Sequence, residues 1–123
     1  MHILVVDDSA HRSAFFQNGL KGHKVTVCRH ARAAIKALKS ASFDAMFLDY
    51  DLTDEPDSEN NGGTVAYFIA DHGIVCPCII LHSENRAGRE AMEAILAGQA
   101  CQSIPYSKLR KIGLRAALKS RIV

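Results

Sequence analysis

The stretch Ala45-Met46-Phe47-Leu48-Asp49-Tyr50-Asp51 decides how this chain is read. A short apolar run stops abruptly at two carboxylates placed two residues apart. Far upstream, His2-Ile3-Leu4-Val5-Val6-Asp7-Asp8 ends the same way. Continuous apolar runs of this length, rich in β-branched residues, read as strands buried on both faces, which is the habit of parallel sheets covered by helices. Two such strands side by side would discharge their acids into one crevice at their C-terminal ends.

Working outward, Ser9 can cap a helix from Ala10 to Lys21, with Ala14, Phe15 and Leu20 as its apolar residues and Gly22 closing it. Val25 and Val27 belong to a second strand. Ala31 to Ser40 predicts a second helix, with Ala34, Ile35 and Leu38 on one face. Tyr50 to Gly63 has no apolar period and contains Pro56, Gly62 and Gly63, so it is expected to be a long acidic loop. Thr64 can cap a third helix to about Asp71, with Val65, Phe68 and Ile69 inward and Gly73 at its end. Cys78 to Leu81 reads as a fourth strand, followed by the polar loop His82-Ser83-Glu84-Asn85. A helix from Arg86 or Ala87 to Ala97 turns Met92, Ile95 and Leu96 inward. Ala100 to Ile104 is a fifth strand, and Lys108 to about Ser120 a last helix with Leu109, Ile112 and Ala116 on its core stripe.

Five strands alternating with five helices favour right-handed βαβ crossovers. The expected fold is α/β, a flavodoxin-like doubly wound five-stranded parallel sheet in the order 2-1-3-4-5, with helices on both faces and residues 1–123 forming one domain. In that order strands 1 and 3 are neighbours. Asp7, Asp8, Asp49, Asp51 and the His82 loop then surround one mouth.

Charge is unevenly spread. From Asp49 to Glu59 every charged residue is acidic, whereas after Tyr106 all are basic: Lys108, Arg110, Lys111, Arg115, Lys119 and Arg121. A basic last helix could meet an acidic protein partner or phosphate, or simply be solvated. No run approaches the roughly 20 apolar residues of a membrane span, and strand-forming sequence starts at once with no leader pattern. A soluble, cytoplasmic protein is expected. Cys28, Cys76, Cys78 and Cys101 have no usual zinc spacing and read as small core residues.

Carboxylates gathered at one mouth repel each other unless a cation compensates. Hard oxygen ligands suit Mg²⁺ or another divalent cation, which typically takes one or two protein carboxylates together with waters and phosphate. Metal-assisted phosphate handling is therefore the chemistry best suited to Asp7, Asp8, Asp49 and Asp51.

The residues Val5-Val6-Asp7-Asp8-Ser9 and Phe43-Asp44-Ala45-Met46-Phe47-Leu48-Asp49 resemble the receiver domain of bacterial response regulators, over essentially the whole chain. The resemblance implies Mg²⁺ on Asp7, Asp8 and Asp49, with Asp49 as phosphoacceptor of a phosphorelay. Two family positions depart. His82 then Ser83 stand where receivers carry Thr or Ser after strand 4, and Ile104 precedes Pro105 where receivers carry Lys. Leu48-Asp49-Tyr50-Asp51-Leu52, Gly62-Gly63-Thr64-Val65 and His82-Ser83-Glu84-Asn85-Arg86-Ala87-Gly88-Arg89 look like an offshoot, the cyclic-phosphate-processing receiver-like family.

That likeness implies a metal-dependent cyclic phosphodiesterase acting on cyclic phosphate ends of nucleotides or nucleic acids. Asp49, Asp51 and a strand-1 acid would hold the ion. His82 would protonate the leaving ribose oxygen. Ser83 and Asn85 would orient phosphate oxygens, aided by free N–H groups at the following helix start. Arg86 or Arg89 would replace the missing Lys as countercharge. Two other readings are a signalling receiver phosphorylated on Asp49 and a non-catalytic pseudo-receiver that binds a partner protein.

Overall fold

The structure, a computed structural model, describes residues 1–53 and 57–119. Asp54, Glu55 and Pro56 of the acidic segment, and Ser120 and Arg121 at the basic end, lie outside the described residues. The strands are β1 (His2–Val6), β2 (Lys24–Cys28), β3 (Ala45–Leu48), β4 (Ile79–Leu81) and β5 (Cys101–Ser103). They form one parallel sheet in the order β2-β1-β3-β4-β5, the flavodoxin-like arrangement expected from the sequence.

The apolar runs explain the two layers. Ile3, Leu4, Val5 and Val6 all have no exposed surface, so both faces of β1 are covered. Alternate residues feed two separate cores. Leu4 and Val6 of β1, Met46 and Leu48 of β3, and Ile79 and Leu81 of β4 pack with α2 (Ala31–Ser40), α3 (Gly62–Asp71) and α4 (Arg86–Ile95). Ile3, Val5, Ala45, Phe47 and Ile80 pack on the other side with α1 (Ala10–Gly19), α5 (Tyr106–Ile112) and α6 (Leu114–Lys119).

Three helix readings are corrected. In α1 the buried residue is Phe16, with Leu20 just beyond, while Ala14 is exposed. Asn61, not Thr64, caps α3: its side chain accepts a hydrogen bond from the Thr64 N–H. The last helix is two helices. Gly113 has φ 87° and ψ 150°, a backbone region essentially reserved for glycine, and it breaks the helix. The break resets the helical phase, so Leu114, Ala117 and Leu118 are buried with Leu109, while Ile112 and Ala116 are exposed. The acidic segment also has some order. Asp51 pairs with Asn61 in an isolated antiparallel bridge, and the Gly62 N–H donates to the Tyr50 carbonyl at 2.7 Å.

Candidate metal and phosphate site

Strand register builds the site. Val6 is paired with Leu48 and Leu48 with Leu81. The ladder extends one residue past each strand: Asp49 N donates to Val6 O (2.9 Å) and His82 N to Leu48 O (3.0 Å), while Asp7 N donates to Cys28 O (3.0 Å). Asp7, Asp49 and His82 thus end three neighbouring strands side by side. Each lies two residues beyond a strand residue of the α1-facing core, Val5, Phe47 and Ile80 respectively. With a side-chain period of two, all three turn toward α1. They are all buried, and the His82 ring meets the Phe16 ring edge-on with centroids 5.0 Å apart.

Arg12, in the first turn of α1, reaches into this cluster. Its Nε donates to Asp7 Oδ2 (2.8 Å), and its Nη2 donates to Asp7 Oδ1 (3.0 Å) and Asp49 Oδ2 (3.2 Å). Nη2 also lies 3.9 Å from Asp8 Oδ1. A cation at a helix N-terminus opposes the helix dipole, so Arg12 owes its place to these acids. The sequence reading missed it, although Asp8 and Arg12 stand four residues apart. That spacing, with a basic residue in an otherwise uncharged first helical turn, was the available signal.

The two buried acids differ electrostatically. Burial pushes the Asp7 carboxyl up, but hydrogen bonds from His82 and Arg12 outweigh it and bring the pKa down to about 2. Burial pushes Asp49 up as well, and there it prevails, with the Asp7 charge adding to it. Asp7 is therefore an anion at neutral pH and can only accept. The 2.8 Å contact between His82 Nε2 and Asp7 Oδ2 is then a bond donated by an Nε2–H. The Nδ1 atom of the same ring is buried and has no partner among the described residues.

The other expected site residues spread around this centre. Asp8 lies at the rim, its Oδ2 accepting from Thr53 N and Thr53 Oγ1. Asp51 is exposed, and its Oδ1 is 3.4 Å from Asn85 Nδ2. Ser83 is buried, its hydroxyl accepts from Asn85 N, and its nearness draws the Asp49 pKa down against the larger rise from burial. Asn85 caps α4 through Gly88 N. Arg89 braces the loop from behind, donating to Ser103 Oγ (2.8 Å) and the Ser83 carbonyl (2.6 Å). Arg86 points along the helix surface to Glu90 (3.0 Å). Glu84, which the sequence reading passed over, accepts from Ser107 N (2.6 Å) at the start of α5, a helix whose own N-cap, Pro105, offers no side-chain acceptor.

Residues 2–98 match the sequence model of the Cyclic-phosphate processing Receiver domain, a span that holds every site residue named so far except Ser103, Pro105 and Ser107. The chain belongs to this family. No curated protein sequence matches it. Solved receiver-fold structures do. A response regulator from Burkholderia pseudomallei, described with a phosphorylated aspartic acid, calcium ion and citrate, is 18% identical over 97% of this chain and 66% of its own, with TM-score 0.69. The Mn²⁺-bound form of the response regulator Rcp1 is 22% identical over 96% of this chain and 86% of its own, with TM-score 0.64. RcsB from Salmonella enterica serovar Typhimurium, bound to promoter rprA in the presence of phosphomimetic BeF3−, is 16% identical over 98% and 67%, with TM-score 0.71. This chain thus spans about two thirds of the Burkholderia protein. At such identities these likenesses establish the receiver fold.

Within that fold the donor set suits a metal. Asp7, Asp49 and His82 each offer a ligand atom, and these atoms lie within 4.8 Å of one another. Two buried carboxylates, beside an imidazole whose Nδ1 has no partner among the described residues, fit a hard or borderline divalent ion. None of the described helices is long and apolar enough to cross a membrane.

Proposed function

We propose that this receiver domain uses a divalent cation, Mg²⁺ or a close substitute, to process cyclic phosphate ends of nucleotides or nucleic acids. One observation carries the reading: Asp7, Asp49 and His82 end three adjacent strands on one face and converge within 4.8 Å, in a chain whose family is cyclic-phosphate processing. Asp7 and Asp49 would hold the ion, with Asp8 and Asp51 at the rim to hold its waters. When bound, the ion would supply an activated water and neutralise charge building on phosphorus.

The chain's own groups do the rest. Asp49 is fixed by the Tyr50 N–H (2.9 Å) and by Arg12 Nη2 (3.2 Å). His82 has no solvent-facing atom, and its Nε2–H is committed to Asp7. We therefore give it the part of a positioning residue that aims the Asp7 carboxylate, as outer-shell donors do for metal ligands, rather than that of proton donor to a ribose oxygen. Ser83 and Asn85, with the start of α4, form the phosphate side of the mouth. Arg86, with most of its side chain in solvent, can turn to a substrate, whereas Arg89 keeps Ser83 in place.

The test is ³¹P NMR of a 2′,3′-cyclic mononucleotide and of an RNA bearing a 2′,3′-cyclic end, with Mg²⁺ or Mn²⁺. Ring opening that needs the metal and is lost in Asp49→Asn supports the reading. No turnover of either substrate overturns it. A second reading, phosphorelay through Asp49, draws support from the position of this acid at the end of β3 and from the phosphorylated aspartic acid of the Burkholderia relative. Intact-mass measurement after incubation with acetyl phosphate and Mg²⁺ tests it: an adduct absent in Asp49→Asn supports phosphorelay. If neither turnover nor adduct appears and no metal binds, a partner-binding pseudo-receiver is the reading left standing, and the basic face of α5 and α6 is its candidate surface.

A further inference from the structure

We infer that Arg12 is a resident cation that must leave before a divalent ion can bind, so that metal loading and Arg12 release are one event. The inference rests on the metal-binding part of the reading above and goes beyond it. It follows from counting lone pairs on Asp7. A carboxylate offers about four acceptor sites. Asp7 Oδ1 already accepts from Ser9 N (2.8 Å) and Arg12 Nη2 (3.0 Å). Asp7 Oδ2 accepts from Arg12 Nε (2.8 Å) and His82 Nε2 (2.8 Å). All four sites are taken, so an ion can gain Asp7 only by evicting a donor.

The three donor residues are not equally free to go. Ser9 donates from its backbone, at the residue that caps α1. His82 is wholly buried against Phe16. Arg12 donates from a half-buried side chain, 29% accessible, on a flexible stem. Its guanidinium also lies 5.6 Å from the centre of the Tyr106 ring at the mouth, so a cation-binding face stands beside its way out. Eviction frees one site on each Asp7 oxygen and, because Nη2 also bonds Asp49, one on Asp49 Oδ2. One side chain thus blocks both carboxylates at once. Without metal it supplies the charge that two buried acids require; with metal it is redundant there and returns to solvent.

The experiment uses the whole chain and solution NMR. The Arg12 Nε–H resonance, identified by its absence in Arg12→Gln, is expected to exchange slowly with solvent in EDTA because it is bonded to Asp7. Titration with Mg²⁺ is expected to shift the backbone amides of Asp7, Asp49 and His82 and, in the same saturation curve, to bring the Nε–H into fast exchange. Mn²⁺ titration followed by electron paramagnetic resonance is expected to give at least tenfold tighter binding to Arg12→Gln. Amide shifts with an Nε–H that stays protected would overturn the inference while leaving metal binding intact. Absence of any amide shift or Mn²⁺ binding, in both the parent chain and Arg12→Gln, would overturn it together with the metal reading.

Discussion

Asp7 and Asp49 are adjacent buried carboxylates, yet their replacement by asparagine is expected to move stability in opposite directions. Asp7 has its pKa lowered from 3.8 to about 2. A lowered carboxyl stabilises the fold at pH above its ordinary value, and the contribution is lost as pH falls through about 2. Nearly two units correspond to about 2 kcal/mol at neutral pH. Asp7→Asn loses this and more, because one amide oxygen cannot accept from all four donors and its NH₂ would face Arg12 or His82. Breaking a buried ionic network this way costs about 3 kcal/mol. Asp49 has a raised pKa, from burial above all. Its contribution is present below the ordinary carboxyl pKa and lost as pH rises through the raised one, so at neutral pH its ionised form is a net cost. Asp49→Asn keeps an oxygen for the Tyr50 N–H and leaves Arg12 on Asp7. A gain of about 1 kcal/mol is expected, with Tm higher by about 4 °C. Urea unfolding at neutral pH, with EDTA present throughout, measures both. The reasoning is refuted if Asp49→Asn loses more than about 1 kcal/mol, or if Asp7→Asn is as stable as the parent within about 0.5 kcal/mol.

Other outcomes follow from single contacts. His82→Gln can still donate to Asp7, so if His82 positions that acid the variant should keep at least about a tenth of the cyclic-phosphate turnover, whereas loss of a general acid costs about 100-fold or more; rate against pH in both proteins separates the cases. A Cβ on Gly62 would collide with the Asp49 carbonyl oxygen and one on Gly88 with the Tyr50 ring, so Gly62→Ala and Gly88→Ala should each lose about 1–3 kcal/mol in urea melts. Glu84→Ala removes the acceptor that caps α5 through Ser107, and should cost about 1 kcal/mol and speed amide exchange at Ser107.

The fold was legible because β1, β3 and β4 are uninterrupted apolar runs, and runs without alternation leave few architectures besides a covered parallel sheet. Strand order alone puts Asp7 beside Asp49. Two kinds of feature were hidden. Gly113 reads as a mild helix weakener, since sequence does not reveal φ; at φ 87° it is a break, and the Leu109–Ile112–Ala116 stripe fails with it. The second is the grouping of acids. All four seemed equivalent at one mouth, but side-chain parity sets Asp8 apart and distance past the strand end sets Asp51 apart. Asp7, Asp49 and His82 step by two from Val5, Phe47 and Ile80 and share a face, whereas Asp8 pairs with Thr53 and Asp51 sits beyond the sheet in its bridge to Asn61. Counting parity back from each strand groups Asp7, Asp49 and His82 and sets Asp8 aside, while only the bridge to Asn61 removes Asp51.

The departure at β5 then makes physical sense. Receivers carry a lysine before the proline that here is Pro105, and this chain has Ile104 there, buried with the α1-facing core. The cation touching Asp49 comes instead from α1, as Arg12. The segment after β5 is bound to the site through its backbone N–H groups: Tyr106 N donates to the His82 carbonyl (2.8 Å) and Ser107 N to the Glu84 carboxylate (2.6 Å). A lysine reaching Asp49 from that segment would tie any change of charge on Asp49 to the position of α5. An arginine from α1 has no backbone tie to that segment, and its contact there is with the Tyr106 ring, 5.6 Å from the guanidinium. On the inference that loading releases Arg12, the moving part would be one half-buried side chain, which would also leave the Tyr106 ring at the start of α5. Restoring the family cation tests what the departure does: Ile104→Lys should raise the yield of an acetyl-phosphate adduct on Asp49 if the missing lysine limits that reaction, and an unchanged yield in a folded variant would show that the departure has another cause.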